Sequence, residues 1–249
     1  MMQPVIKSPT FISPLGRFQK GLAAYQRGDF ATALRELRPL AEQGDAGAQY
    51  NLGGMYAYGK GVPQNDKTAM KWYTLAAEQG HANAQVNLGT MYRRGQGVPL
   101  DYKTAVKWFR LAAEQGYAYA QANLGWMYEY GYGVPQNHKT AMKWYRLAAE
   151  QGNADAQYYM GVMYANGLAR SFPIGAGVPQ NHKTAMKWYR LAAKQGTAGA
   201  QHNLGVMYEK GLGVPQNDKT AMKWYRLAAE QGDALAQHSL ERLEKQIVA

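Results

Sequence analysis

Apolar and small residues recur along most of this chain with the spacing of amphipathic helices, and they do so in pairs of short segments. Between residues 117 and 130, Ala118, Ala120, Leu124, Gly125, Met127 and Tyr128 fall on one side of a wheel drawn at about 100° per residue. Gly131 follows, and glycine accepts the left-handed backbone that closes a helix. The segment 131–135, GYGVP, then turns the chain, with Val134 placed as a plug between helices. Asn137 can cap a second helix that buries Ala141, Met142, Trp144, Tyr145, Leu147, Ala148 and Ala149 and stops at Gly152. Nothing rich in β-branched residues intervenes. The pattern predicts an all-α fold built from helix pairs.

The pair is repeated. Gln-Gly dipeptides begin at Gln43, Gln79, Gln115, Gln151, Gln195 and Gln231, spaced by 36 residues except for one interval of 44. Trp72, Trp108, Trp144, Trp188 and Trp224 keep the same rhythm. Units therefore span 45–80, 81–116, 117–152, 153–196 and 197–232. A period of this length means an array of stacked supersecondary units, not a closed globule. Residues 15–44 read as a degenerate N-terminal capping repeat with an Arg-Gly-Asp turn, and 233–249 as a C-terminal capping helix with a polar face. Residues 1–14 contain Pro4, Pro9 and Pro14 and read as an extended or disordered arm. The turn of the fourth unit is eight residues longer and carries Arg170, Phe172, Pro173 and Ile174. Such an insertion is either part of a binding face or tolerated drift in length.

The pattern A-x-A-Q-x-x-L-G-x-M-Y-x-x-G-x-G-V-P, followed by K-T-A-M-K-W-Y-R-L-A-A-E-Q-G, resembles the Sel1-like repeat family over residues 45–232. That family is related to the tetratricopeptide repeats. The resemblance implies a right-handed superhelical solenoid of antiparallel helix pairs that binds proteins or peptides as a scaffold or adaptor. It does not imply one partner. The family includes many exported bacterial proteins, among them a cysteine-rich branch; this chain has no cysteine and is not of that branch.

Recurrent positions build the stack, so binding falls to positions that vary between units. On the first helix these form a stripe opposite the core, which in tetratricopeptide-like arrays lines a concave groove. The stripe supplies Tyr50 and Asn51; Asn87, Arg93 and Arg94; Tyr119, Asn123, Trp126 and Tyr130; Tyr158 and Tyr159; and Asn203. The row Asn51, Asn87, Asn123 and Asn203 can pair with the backbone of an extended peptide, because a carboxamide both donates and accepts. The same residues can equally bond their own helices or the neighbouring unit. Trp126 breaks the tryptophan rhythm and stands where other units have Gly54, Thr90, Val162 and Val206. Its aromatic surroundings have the composition of a binding hot spot, and Arg93 and Arg94 can meet an acidic group.

Charge changes the picture less than its size suggests. The net charge of +11 equals the sum over one second-helix ridge, represented by Lys139, Lys143, Arg146 and Glu150 and their equivalents. A basic ridge attracts nucleic acid or anionic membrane, which is the alternative function. Against it stand the lack of interleaved aromatics and Arg-to-Glu pairs at i, i+4 that partly neutralise it. No cofactor, metal, small-molecule substrate or catalytic residue is expected. His138 and His182, like His202 and His238, occupy equivalent places in successive units, too far apart to share a zinc ion. No nucleophile, base and orienting group converge. A monomer is expected, with self-association through the arm or tail as the other possibility. Neither a signal peptide nor a membrane span is visible, so the chain is cytoplasmic unless a leader has been removed.

Overall fold

The computed structural model describes residues 13–167 and 179–248. Among these residues every regular element is an α-helix. The chain opens with α1 (Pro14–Gln26) and α2 (Phe30–Glu42). Five pairs follow: α3 (Ala46–Tyr58) with α4 (Asp66–Glu78), α5 (Ala82–Arg94) with α6 (Tyr102–Glu114), α7 (Ala118–Tyr130) with α8 (His138–Glu150), α9 (Ala154–Asn166) with α10 (His182–Lys194), and α11 (Ala198–Lys210) with α12 (Asp218–Ala229). Helix α13 (Ala234–Val248) is last. Two compact units divide at Trp108 and Phe109, inside α6. In the first, α1 packs on α2, α2 on α3, α3 on α4 and α4 on α5. In the second, consecutive helices from α7 to α13 pack in the same way.

Local chemistry sets the helix ends. Asn137 Oδ1 accepts the Thr140 backbone N–H at 2.9 Å and so caps α8, and Asn65, Asn181 and Asn217 cap α4, α10 and α12 alike. Each such cap is worth about 1 kcal/mol. Gly131 ends α7 in the left-handed region at φ 73°. Pro14 lies inside α1 rather than in an extended arm, because Ser13 caps that helix and a proline without an N–H suits its first turn. The lengthened turn of the fourth repeat, with Arg170, Phe172, Pro173 and Ile174, lies outside the described residues.

In four of the five repeats the core is a tyrosine laid on a glycine, and the second has the buried Phe109 in the tyrosine's place. Tyr145 of α8 is fully buried against Gly125 of α7, where an added methyl group would sit 2.8 Å from the ring. Tyr73 on Gly53, Tyr189 on Gly161 and Tyr225 on Gly205 repeat the contact. Recurrent alanines, among them Ala141, Ala148 and Ala156, fill the rest without forcing the helices apart. Leu147 departs from the expected core. It lies well round the helix from the Ala141–Tyr145–Ala148 stripe and stays at the surface, as do Leu75, Leu111, Leu191 and Leu227.

Successive repeats are joined by buried glutamines. Gln121 Nε2 donates to the Ala113 carbonyl at 3.2 Å, while its Oε1 accepts from Gln151 at 2.8 Å. Gln49, Gln157 and Gln201 make the same pair of bonds, to Ala41 and Gln79, Ala149 and Gln195, and Ala193 and Gln231. Satisfied on both sides, a buried carboxamide carries little penalty, and it holds the register between helices. The glutamine of the Gln-Gly dipeptide that marks the period therefore holds, within its own repeat, the glutamine that reaches back to the preceding one.

Candidate partner-binding face

The stripe expected to bind lies on the first helices, and each compact unit carries its own part. In the first unit, Tyr50 stacks on His81 at 4.7 Å and lies 5.9 Å from Tyr73. His81 caps α5 through Nδ1, and burial lowers its pKa. Asn51 donates to the Gly47 carbonyl of its own helix at 2.7 Å, and Asn87 is hydrogen-bonded to the buried Tyr73 hydroxyl. Arg93 and Arg94 form the last turn of α5, the first half-buried and the second exposed.

In the second unit, Trp126 and Tyr130 of α7 meet Tyr132 of the following turn. Ring centres lie 4.9 Å apart for Trp126–Tyr132, 5.3 Å for Trp126–Tyr130 and 6.1 Å for Tyr130–Tyr132. Tyr130 is 50% exposed and Tyr132 37%. Tyr119 is exposed on the first turn of α7, and Asn123 donates to its carbonyl at 2.8 Å. On α9, Tyr158 and Tyr159 meet edge to face at 5.4 Å, and Tyr159 stacks on Tyr145 at 4.9 Å. Burial pushes the Tyr159 hydroxyl up to about 12. Asn203 of α11 is hydrogen-bonded to the hydroxyls of Tyr158 and Tyr189. The asparagine row is thus engaged within the fold: Asn51 and Asn123 with their own helices, Asn87 and Asn203 with neighbouring tyrosines.

Two residues of this face escaped the sequence reading. Tyr132 occupies the turn position held elsewhere by Lys60, Gln96 and Leu212, the same kind of departure that singled out Trp126. Glu129 lies on the variable stripe of α7, but the sequence gives it no partner and no role. Its Oε2 accepts the Tyr145 hydroxyl at 2.6 Å. Burial raises its pKa, against the opposing pull of Tyr145 and His138. Glu209 occupies the equivalent place and accepts the Tyr225 hydroxyl at 2.7 Å, but its Oε1 also meets Arg242 at 2.7 Å. There burial pushes upward, and the Tyr225 and Arg242 donors together outweigh it, leaving the carboxyl below its ordinary value.

The outer ridge looks different in space. Arg110 donates to the Tyr128 hydroxyl of the next repeat at 2.9 Å; Arg38, Arg146 and Arg190 do the same to Tyr56, Tyr164 and Tyr208. The expected i, i+4 pairs with glutamate are not the bonds these arginines make, because the tyrosine of the following helix lies within their reach. Position 74 is a threonine, whose hydroxyl turns back to the Met70 carbonyl at 2.8 Å. Beside it runs a cleft of about 580 Å³ lined by Lys67, Met70, Lys71, Thr74, Leu75 and Gly97. Among the described residues no group of three or more His, Asp or Glu side chains is arranged to hold a metal, and no helix is long and apolar enough to cross a membrane.

Known proteins share this architecture. A family model for the Sel1 repeat matches residues 46–81, 82–117, 118–153, 154–197 and 198–233. The chain is similar to the crystal structure of a protective antigen present in uropathogenic Escherichia coli strains, 38% identical with a TM-score of 0.84, covering 96% of this chain and 50% of that one. It thus spans about half the length of that antigen. A Sel1 repeat protein from Oxalobacter formigenes is 35% identical, with a TM-score of 0.81 over 90% of this chain and 86% of that one. An exopolysaccharide production negative regulator of Rhizobium meliloti is 41% identical over 61 residues, 24% of this chain and 23% of that protein.

Proposed function

The chain belongs to the Sel1 repeat family, whose members generally act in protein–protein interaction on a generally non-catalytic scaffold, and we propose that it is an adaptor holding a partner's peptide, loop or helix against the stripe of its first helices. The observation that carries this reading is the cluster of Trp126, Tyr130 and Tyr132. Three aromatic rings gather, two of them (Trp126 and Tyr132) at positions that the other described repeats fill with small, aliphatic, polar or charged side chains, and Tyr130 and Tyr132 remain open to solvent. Tryptophan and tyrosine offer large contact area with few torsions to freeze, which is why they dominate binding hot spots. Capped helices in fixed register hold them in place before a partner arrives, so little ordering is needed on binding. Tyr119, Asn123, Tyr158, Tyr159 and Asn203 flank the cluster on the same stripe. The first unit offers Tyr50, Asn51, Asn87, Arg93 and Arg94 at equivalent helix positions. A relative named for negative regulation suits an activity exerted by binding.

The test is affinity capture from the source cell's lysate, with wild type beside Trp126→Ala, at low and high salt. A protein retained by wild type at high salt and lost with Trp126→Ala is the expected result. Its affinity should fall by thirtyfold or so, the loss of about 2 kcal/mol that defines a hot spot. Circular dichroism should show unchanged helicity. Nucleic acid or lipid held equally by both proteins, and only at low salt, would transfer the function to the basic ridge.

A further inference from the structure

The chain builds the same carboxylate–tyrosine pair twice. Glu129 lies in the last turn of α7 and Glu209 in the last turn of α11, each accepting a tyrosine hydroxyl from the second helix of its repeat. In the fifth repeat the other carboxylate oxygen is met by Arg242, reaching across from α13 at 2.7 Å. That carboxylate is nearly closed off, at 14% side-chain exposure, while the arginine is 41% exposed. The molecule therefore displays a working seat for a guanidinium, complete with occupant.

Among the described residues the third repeat has no such occupant. Arg242 is the ninth residue of α13, and the ninth residue of α9 is Val162. Among the described residues of the second unit, no lysine or arginine lies within ion-pair distance of Glu129. The charged and titratable groups around it are His138 at the start of α8, Asp155 on α9, and the tyrosines Tyr130, Tyr145, Tyr158 and Tyr159. None brings a permanent positive charge. A partly buried carboxylate without a cation is costly to keep ionised, so the site gains from any partner that supplies one. Trp126 and Tyr130 lie on the same stretch of α7, and a planar guanidinium both forks onto a carboxylate and stacks on aromatic faces.

We infer that the Glu129–Tyr145 pair, beside the Trp126 cluster, is the seat for an arginine side chain of the bound partner. This rests on the reading of that face as a protein-binding surface and adds the chemistry of what binds. The partner segment carries one arginine aimed at Glu129 and apolar or aromatic side chains next to it. Arg242 in the fifth repeat is the internal version of the same contact. Lysine is the poorer fit, since its ammonium neither forks nor stacks.

The experiment selects random twelve-residue peptides on the wild-type chain, then measures a selected peptide against four proteins: wild type, Glu129→Gln, Val162→Arg and Trp126→Ala. A second peptide replaces the shared arginine by citrulline, which keeps its shape and loses its charge. Selected peptides should share one arginine. Citrulline should weaken binding to wild type tenfold or more and barely alter binding to Glu129→Gln, the coupling that defines direct contact. Val162→Arg should abolish binding by filling the seat from α9, as Arg242 does from α13. Glutamine still accepts the Tyr145 hydroxyl, so Glu129→Gln should melt near wild type. Peptides without a shared basic residue, a shared lysine in place of arginine, or an equal citrulline loss on wild type and Glu129→Gln would overturn the assignment. If those peptides still lose affinity for Trp126→Ala, the binding face itself stands. A library that yields no binder, or binders indifferent to Trp126→Ala, overturns both readings.

Discussion

The third and fifth repeats share a tyrosine beneath a glycine and a carboxylate on its hydroxyl, yet they differ in what completes the carboxylate. Glu209 is closed by Arg242 of α13, whereas the helix position equivalent to Arg242 in the fourth repeat holds Val162. One substitution on a neighbouring helix thus separates a structural contact from an open one. Among its described residues α13 buries two apolar side chains, Ala236 and Leu243, so the contact between Arg242 and Glu209 adds to a small apolar anchor. The third repeat is bonded to the repeats before and after it, through Gln121 to the Ala113 carbonyl and Gln157 to the Ala149 carbonyl, so its carboxylate is released for other use.

The largest effect should be common to both repeats. Tyr145→Ala and Tyr225→Ala each empty a fully buried ring and should cost about 3–5 kcal/mol in urea unfolding. A much smaller cost at either position would break the equivalence of the two cores. Next comes the contact they do not share. Arg242→Ala should cost only about 1 kcal/mol, given the arginine's exposure to solvent, and hydrogen exchange should quicken in α13 while α7 to α9 keep their protection.

The pH dependence should run in opposite senses. Glu209 lies below its ordinary value of 4.5 in the folded chain, so it contributes stability that is present above that value and lost as the pH falls through the lower folded one. Glu129 lies above 4.5, so the fold favours its protonated form; that contribution is complete below 4.5 and lost as the pH rises through the higher folded value. In urea melts across the acid range, acidification should therefore shrink the stability deficit of Glu209→Gln. Raising the pH should instead improve Glu129→Gln relative to wild type. Parallel slopes would mean that the two carboxylates share one environment after all. Smallest of all is Thr74→Arg, which restores the arginine column opposite Tyr92 and should add a few tenths of a kcal/mol. No change in the thermal midpoint would show that the arginine–tyrosine bonds tune register without adding stability.

Much of this was legible beforehand. The helix pairs, Asn137 as a cap, Gly131 as a stop and the tyrosine stripe of the second helix all follow from effects that act within about four residues along the chain. Trp126 was legible as a departure from the repeat, and Tyr132 could have been found by the same comparison. Leu147 was not, because its apolar character suggested burial while its angle on the helix placed it outside. The asparagine row pointed outward on the wheel, but Asn123 and Asn51 turn back to carbonyls one turn away.

The sequence by itself determined the element order, the period and the family, since capping, periodicity and chain reversal are local and repeat with the residues that cause them. Only the tertiary structure decided which side chains meet between helices: Arg110 with Tyr128, Gln151 with Gln121, Arg242 with Glu209. Those pairs lie 18, 30 and 33 residues apart and depend on how far each helix advances past the last. That advance is set by the glycine–tyrosine contact and the buried glutamines acting together, and among the described residues it brings Glu129 no arginine of the kind that Glu209 has.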